Sequence, residues 1–213
     1  MPVHVVRQGE CFTTIADLHG FADPRDVADH PENRALRARR PDPNILHPGD
    51  RVFVPDREIG VVARPTGARH RFVAKRPARR LHVVLKSAEG VPFAGVRYRI
   101  LLEGATIEGT TGGDGAIRHD IPIQATEAKL DLGDVVVDLA IGWLNPLRDA
   151  PDGGVSGVQA RLRNLGHEPG SVSGELDAPT RAAIESYQRA RGLPVDGALS
   201  PALLSALERE HGC

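Results

Sequence analysis

Val172-Ser173-Gly174-Glu175-Leu176-Asp177 and, twenty-three residues later, Val195-Asp196-Gly197-Ala198-Leu199-Ser200 are two copies of one signal. Each begins with a valine and continues with a turn glycine and an apolar residue. An Asp or Ser then stands where a helix can be capped. An apolar-periodic run follows each copy, over residues 178–187 and 201–207, with Ile184 and Leu207 in matching places. Self-similarity at a fixed spacing means that one structural unit is used twice.

The pattern extends outward from the repeat. It includes Val158-Gln159, Leu162, Leu165-Gly166, Thr180, Ala183, Tyr187-Gln188, Gly192-Leu193 and Val195-Asp196-Gly197. Together these resemble the small three-helix peptidoglycan-binding domain appended to many bacterial wall enzymes, over residues 154–213. The resemblance implies a helical bundle. It places candidate glycan contacts at Asp196 and on the exposed side of Tyr187 and Gln188. Tyr187 also reads as a core residue, as the matching aromatic often is.

The 213 residues are enough for two or three modules. A net charge of −1 gives no global attraction to nucleic acid or an anionic membrane. Aromatics at 4% are too few for a wide sugar-stacking platform, so a glycan site here relies on backbone groups. Cys11 and Cys213 make no disulfide framework, and burial of Cys11 as a free thiol is the expectation. No stretch is long and apolar enough to span a bilayer. Met1-Pro2-Val3-His4 enters a strand-like run without a basic or apolar leader. The expectation is cytoplasmic synthesis, with delivery to the periplasm or wall by a machine that exports folded cargo.

Residues 1–56 open with a strand signal at Val3, Val5 and Val6. Thr13 can cap a helix carrying Ile15, Ala16 and Leu18, and Gly20 can close it. Pro24 suits the start of a second helix through Val27 and Ala28, and residues 51–55 close with a strand. Val6, Gly9, Glu10, Ile15-Ala16, Asn44, Leu46, Pro48-Gly49, Val52, Val54 and Pro55 resemble the LysM domain, a βααβ unit. That resemblance implies a shallow groove for N-acetylglucosamine-containing chains between two loops. The loop residues are Gly9, Glu10, Cys11 and Phe12 on one side and Asn44, Ile45 and Leu46 on the other. Backbone groups would bond the N-acetyl amides, and Phe12 and Ile45 would add apolar contact. The stretch from Asn33 to Arg40 lengthens the connection and can reshape the groove.

Residues 57–80 read as a basic linker, with Arg64, Arg69, Arg71, Lys75, Arg76, Arg79 and Arg80 and no acid between Glu58 and Glu89. A solvated connector is the plain reading, and contact with an acidic partner the sharper one. Residues 81–145 alternate in β-like runs at 81–86, 96–103, 116–120, 128–132 and 135–141. Thr111-Gly112-Gly113-Asp114-Gly115 reads as a hairpin turn. Pro92-Phe93-Ala94-Gly95-Val96 with Tyr98 resembles the transthyretin-like or carboxypeptidase-regulatory-like β-sandwich, usually a spacer or interaction module.

The fold class expected is multidomain α+β: a βααβ unit, a small central β-sandwich and a C-terminal three-helix bundle. No catalytic set, metal set or cofactor motif is legible. His82, His119 and Asp120 are the residues to inspect, and His211-Gly212-Cys213 lacks the base that a nucleophile needs. The leading reading is a non-catalytic peptidoglycan-binding protein with two wall-binding modules. Two weak sites on a repetitive polymer gain avidity of ~10²–10⁴ where the linker spans them. The alternative is an adaptor of a contractile injection spike or baseplate. It rests on Asp29-His30-Pro31-Glu32-Asn33 and on the run from Leu36 to Asn44, which resemble LysM proteins associated with type VI secretion. Expected partners are peptidoglycan glycan chains and, in the alternative, a spike protein.

Overall fold

The computed structural model describes residues 3–57, 63–71, 78–87 and 89–211. Three separate cores organise them, each built from a contiguous part of the chain.

In the first, β1 (Val3–Val5) pairs antiparallel with β2 (Arg51–Phe53), Val3 opposite Phe53. Between them run α1 (Phe12–Leu18), α2 (Arg25–Ala28), a 3₁₀ turn at Pro31–Asn33 and α3 (Arg34–Arg39). The order therefore holds one more helix than the expected βααβ. The stretch from Asn33 to Arg40 is that helix. Asn33, almost fully buried, fixes it: its Nδ2 donates to the carbonyls of Val27 and Phe53 at 2.7 and 2.8 Å, and its Oδ1 accepts from Phe53 N at 2.8 Å. The N-cap of α1 is Cys11, where Thr13 was expected. Thr14 Oγ1 accepts from Cys11 N at 2.8 Å, which satisfies that end of the helix. Phe12, Ile15, Val27, Leu36, Leu46, Val52 and Val54 fill the core.

The second core lies between two sheets. β3 (Ala78–Val84) pairs with β6 (Ala116–Pro122). β4 (Arg97–Leu102), β5 (Ala105–Thr110), β7 (Glu127–Asp131) and β8 (Val136–Ala140) form a four-stranded sheet in the order β5-β4-β7-β8. Leu81, Ile117 and Ile121 of the small sheet pack with Tyr98, Ile100 and Leu130 of the large one. Two sequence expectations change here. Arg79 and Arg80, assigned to the linker, lie in β3. Lys75 and Arg76 fall outside the described residues. The turn at 111–115 is tight but closes no hairpin: Thr111 N still bonds Val96 O, whereas Gly115 O already accepts from Leu85 N. The chain crosses there from the large sheet to the small one. The tight hairpin joins β4 to β5 through Glu103-Gly104, with Leu102 opposite Ala105.

The third core gathers α4 (Val155–Asn164), α5 (Ala178–Ala190) and α6 (Pro201–His211) around Val158, Leu162, Ile184, Tyr187, Leu203 and Leu207. Asp177 caps α5, its Oδ1 accepting from Thr180 N at 3.0 Å. Leu147, ahead of the expected boundary at 154, also packs into this core. Among the described residues no helix is long and apolar enough to cross a membrane.

Candidate functional site

The two N-terminal loops do meet. Phe12 N donates to Pro43 O at 3.2 Å, which sets the loop before α1 against the loop before β2. Their polar groups are nevertheless engaged within the protein. Glu10 N bonds Arg7 O, Cys11 N bonds Thr14 Oγ1, Ile45 N bonds Asp42 O, and Asn44 N bonds Asp42 Oδ1. The Glu10 carboxylate takes Arg7 N and His4 Nε2, both at 2.7 Å. Of the side chains named from sequence, Cys11, Phe12, Ile45 and Leu46 are buried. Phe12 faces the core at 0% exposure, where apolar contact with a ligand was expected of it. Asn44 alone among the seven is exposed.

A second layer covers the first of these loops. Arg79 from β3 reaches the carbonyl of Gly9 at 3.3 Å and Cys11 Sγ at 3.9 Å. Gln8 Nε2 donates to Asn145 Oδ1 at 3.1 Å, and the Trp143 indole lies beside Gly9. Gly142 has to be glycine: at φ +82°, a Cβ would collide with the Arg79 guanidinium and lie 2.8 Å from Gly9 O. Arg40, at the end of α3 and 2% exposed, completes the joint. Its guanidinium forks onto Asp50 at 2.8 and 3.3 Å and donates to the carbonyls of Arg148 and Asp149 at 3.3 and 2.8 Å. Asp149, at φ +52°, is the one non-glycine at positive φ among the described residues. The lengthened connection thus supplies the residue that ties the first core to the connector before α4.

In the C-terminal core the two repeat loops are each held by a buried glutamine. Gln159 Oε1 accepts from Gly174 N at 2.9 Å, and its Nε2 donates to Glu175 O and Thr180 Oγ1. Gln188 Oε1 accepts from Asp196 N and Gly197 N, both at 3.0 Å, and its Nε2 donates to Asp196 Oδ1 at 2.7 Å. Gln188 and Tyr187 are therefore interior residues, 1% and 0% exposed. Asp196 is exposed, and the Ala198 backbone N–H together with Gln188 holds its carboxyl below the usual range.

What does open to solvent on this core is a groove between α5 and α6. It holds about 280 Å³ and is lined by Tyr187, Arg191, Leu193, Ala206, Arg209 and Glu210. Tyr187 forms the floor, with Arg191 stacked 5.4 Å from its ring centre. Arg191 forks onto Glu210, and Tyr187 Oη donates to the same carboxylate at 2.9 Å. The Arg191 pairing outweighs burial and lowers the Glu210 pKa. Burial, then the Glu210 charge, pushes the Tyr187 hydroxyl up to about 12, so it stays protonated and donates. Lys86 of the β module also acts on Glu210 through space. Arg209 is exposed and has no acidic partner among the described residues. Sequence reading missed Arg191 and Arg209. Their i, i+4 and across-helix neighbours become a groove only once α5 and α6 are packed.

His82, His119 and Asp120 do not converge. His119 turns inward to bond Tyr98 Oη at 2.7 Å, whereas His82 is exposed and Asp120 pairs outward with Arg80. Cys213 lies outside the described residues.

Residues 151–207 match the family described as "Putative peptidoglycan binding domain". The chain carries a C-terminal peptidoglycan-binding domain. The match spans α4, α5 and α6 as far as Leu207, with both glutamine-held loops; of the groove's α6 wall it includes Ala206, and Arg209 and Glu210 lie beyond it. No curated protein and no solved structure matches the chain.

Proposed function

We propose that the protein binds peptidoglycan without cleaving it, and that its wall contact is on the C-terminal domain. The observation that carries this is the coincidence of the family match with a solvent-open, cation-lined groove on the same helices. The LysM resemblance of the first module supports the same class of target. The first of its two loops, however, is engaged by Arg79, Trp143 and Asn145, and Arg40 ties the same module to the carbonyls of Arg148 and Asp149, so we assign that module to bracing the joint. The test is co-sedimentation of the full chain with purified sacculi at low salt, with assay of the supernatant for soluble muropeptides. Pelleting without muropeptide release is expected. Absence from the pellet contradicts binding, and release above a heat-killed control contradicts the non-catalytic reading.

The adaptor reading has its own support in the open edge of the large sheet. Among the described residues β8 ends the sheet, and Val135, Val136 and Val137 beside that edge are all exposed. Such an edge can take a strand from another protein. Binding to a purified spike protein that is lost in Val136→Lys is the expected result. Binding unaffected by that change removes the support.

A further inference from the structure

We infer that the α5–α6 groove takes a free carboxylate of a peptidoglycan peptide stem, with Arg209 as the group that receives it. This rests on the wall-binding reading and names the part of the wall recognised. The reasoning is one of charge and size. The groove offers two guanidinium groups and one carboxylate, and Lys86 adds a further positive field. Arg191 is already committed to Glu210, and Glu210 is committed to both Arg191 and Tyr187. The fork of Arg209 is the donor set left open, and a guanidinium fork matches a carboxylate with two parallel hydrogen bonds.

The walls beside it, Leu193 and Ala206, are aliphatic. They suit a short aliphatic amino-acid side chain. The groove offers a sugar ring no stacking face, since its one aromatic ring is fully buried under Arg191. The volume, about 280 Å³, is just below the range of ~300–1,000 Å³ usual for drug-sized ligands, which again fits a short fragment. N-acetylated glycan strands are largely neutral, whereas peptide stems end in carboxylates. The complementarity therefore points to the stem.

The test compares the wild-type chain and Arg209→Glu on three solid targets: intact sacculi, sacculi stripped of stems by an amidase, and chitin. Free stem tripeptide and glycerol phosphate serve as soluble competitors. The wild type should bind intact sacculi about tenfold better than stripped glycan, the size expected for one charge-assisted contact. Arg209→Glu should lose that factor with its melting temperature unchanged, since the side chain is exposed. Stem tripeptide should compete and glycerol phosphate should not. Equal binding to intact and stripped sacculi, or an unaffected Arg209→Glu, overturns the stem assignment while wall binding stands. Competition by glycerol phosphate alone overturns it in favour of an anionic wall polymer. Failure of the wild type to bind any of the three targets overturns the wall-binding reading itself.

Discussion

At the N-terminal end, the first of two loops that resemble a glycan-binding pair lies against Arg79, Trp143 and Asn145 of the same chain, and Arg40 ties that module to the carbonyls of Arg148 and Asp149. At the C-terminal end, α5 and α6 leave a groove open, with the Arg209 guanidinium unclaimed among the described residues. Both regions are rich in arginine, and the difference lies in what the arginines find. Arg40 is 2% exposed and saturated by Asp50 and two carbonyls. A buried guanidinium of that kind is a structural tie, costly to disturb and unable to receive a ligand. An exposed one with a free fork contributes little to stability and much to recognition. Arginine content therefore says little about binding until the partners of each side chain are known.

The comparison can be broken most forcefully at Arg40. Arg40→Ala leaves the buried Asp50 with only the half-exposed Arg39 as a cation, strands the carbonyls of Arg148 and Asp149, and should cost ~3 kcal/mol in denaturant unfolding. Trp143, the chain's only tryptophan, lies half exposed beside Gly9 at this joint, so its emission should shift modestly to the red as the joint opens. A variant with wild-type stability and emission would show that the modules are not tied there. Gln188→Ala comes next. It strands the N–H groups of Asp196 and Gly197 and should cost ~1–3 kcal/mol, read as a loss of melting temperature.

Acidification separates the two ends more gently. Burial holds His211 down at about 4 and lowers His167 from the ordinary 6.5. Between those values the unfolded chain binds protons that the folded chain does not. The C-terminal domain should thus keep its full stability above pH 6.5 and lose it progressively as the pH falls toward 4. His211→Gln should flatten that slope in melting curves taken across the window. The smallest effect is expected at Gln8, whose single part-buried amide bond to Asn145 joins the two layers. Gln8→Ala should cost ~0.5–1.5 kcal/mol and leave sacculus binding unchanged.

The parts of this architecture that were legible in sequence are those set by local rules. The repeat glycines and the Asp177 cap lie where turn and helix-start chemistry puts them. The alternation of residues 116–120 placed β6, which runs two residues further, to Pro122. β5 was missed because Ala105–Thr110 turns only Ile107 toward the core and is otherwise polar or small, as an edge strand can be. The turn at 111–115 was read as a hairpin because its glycines fix a tight turn. Which strand the chain pairs with afterwards is a tertiary matter. The joint was illegible for the same reason. Arg40 ends the stretch read as lengthening the connection, and its carbonyl partners lie 108 and 109 residues away. Gln188 was expected on an exposed glycan-contacting face; it is buried, and its role is to hold the loop at Asp196-Gly197.

The central claim is that wall material meets the C-terminal groove and leaves the N-terminal loops untouched. Backbone hydrogen exchange of the full chain, free and saturated with soluble peptide-bearing muropeptides, tests it most directly. The account predicts slowed exchange at residues 187–193 and 203–210, with no change at 8–12 and 43–47. Protection at 8–12 and 43–47, with the α5–α6 groove unaltered, would contradict it.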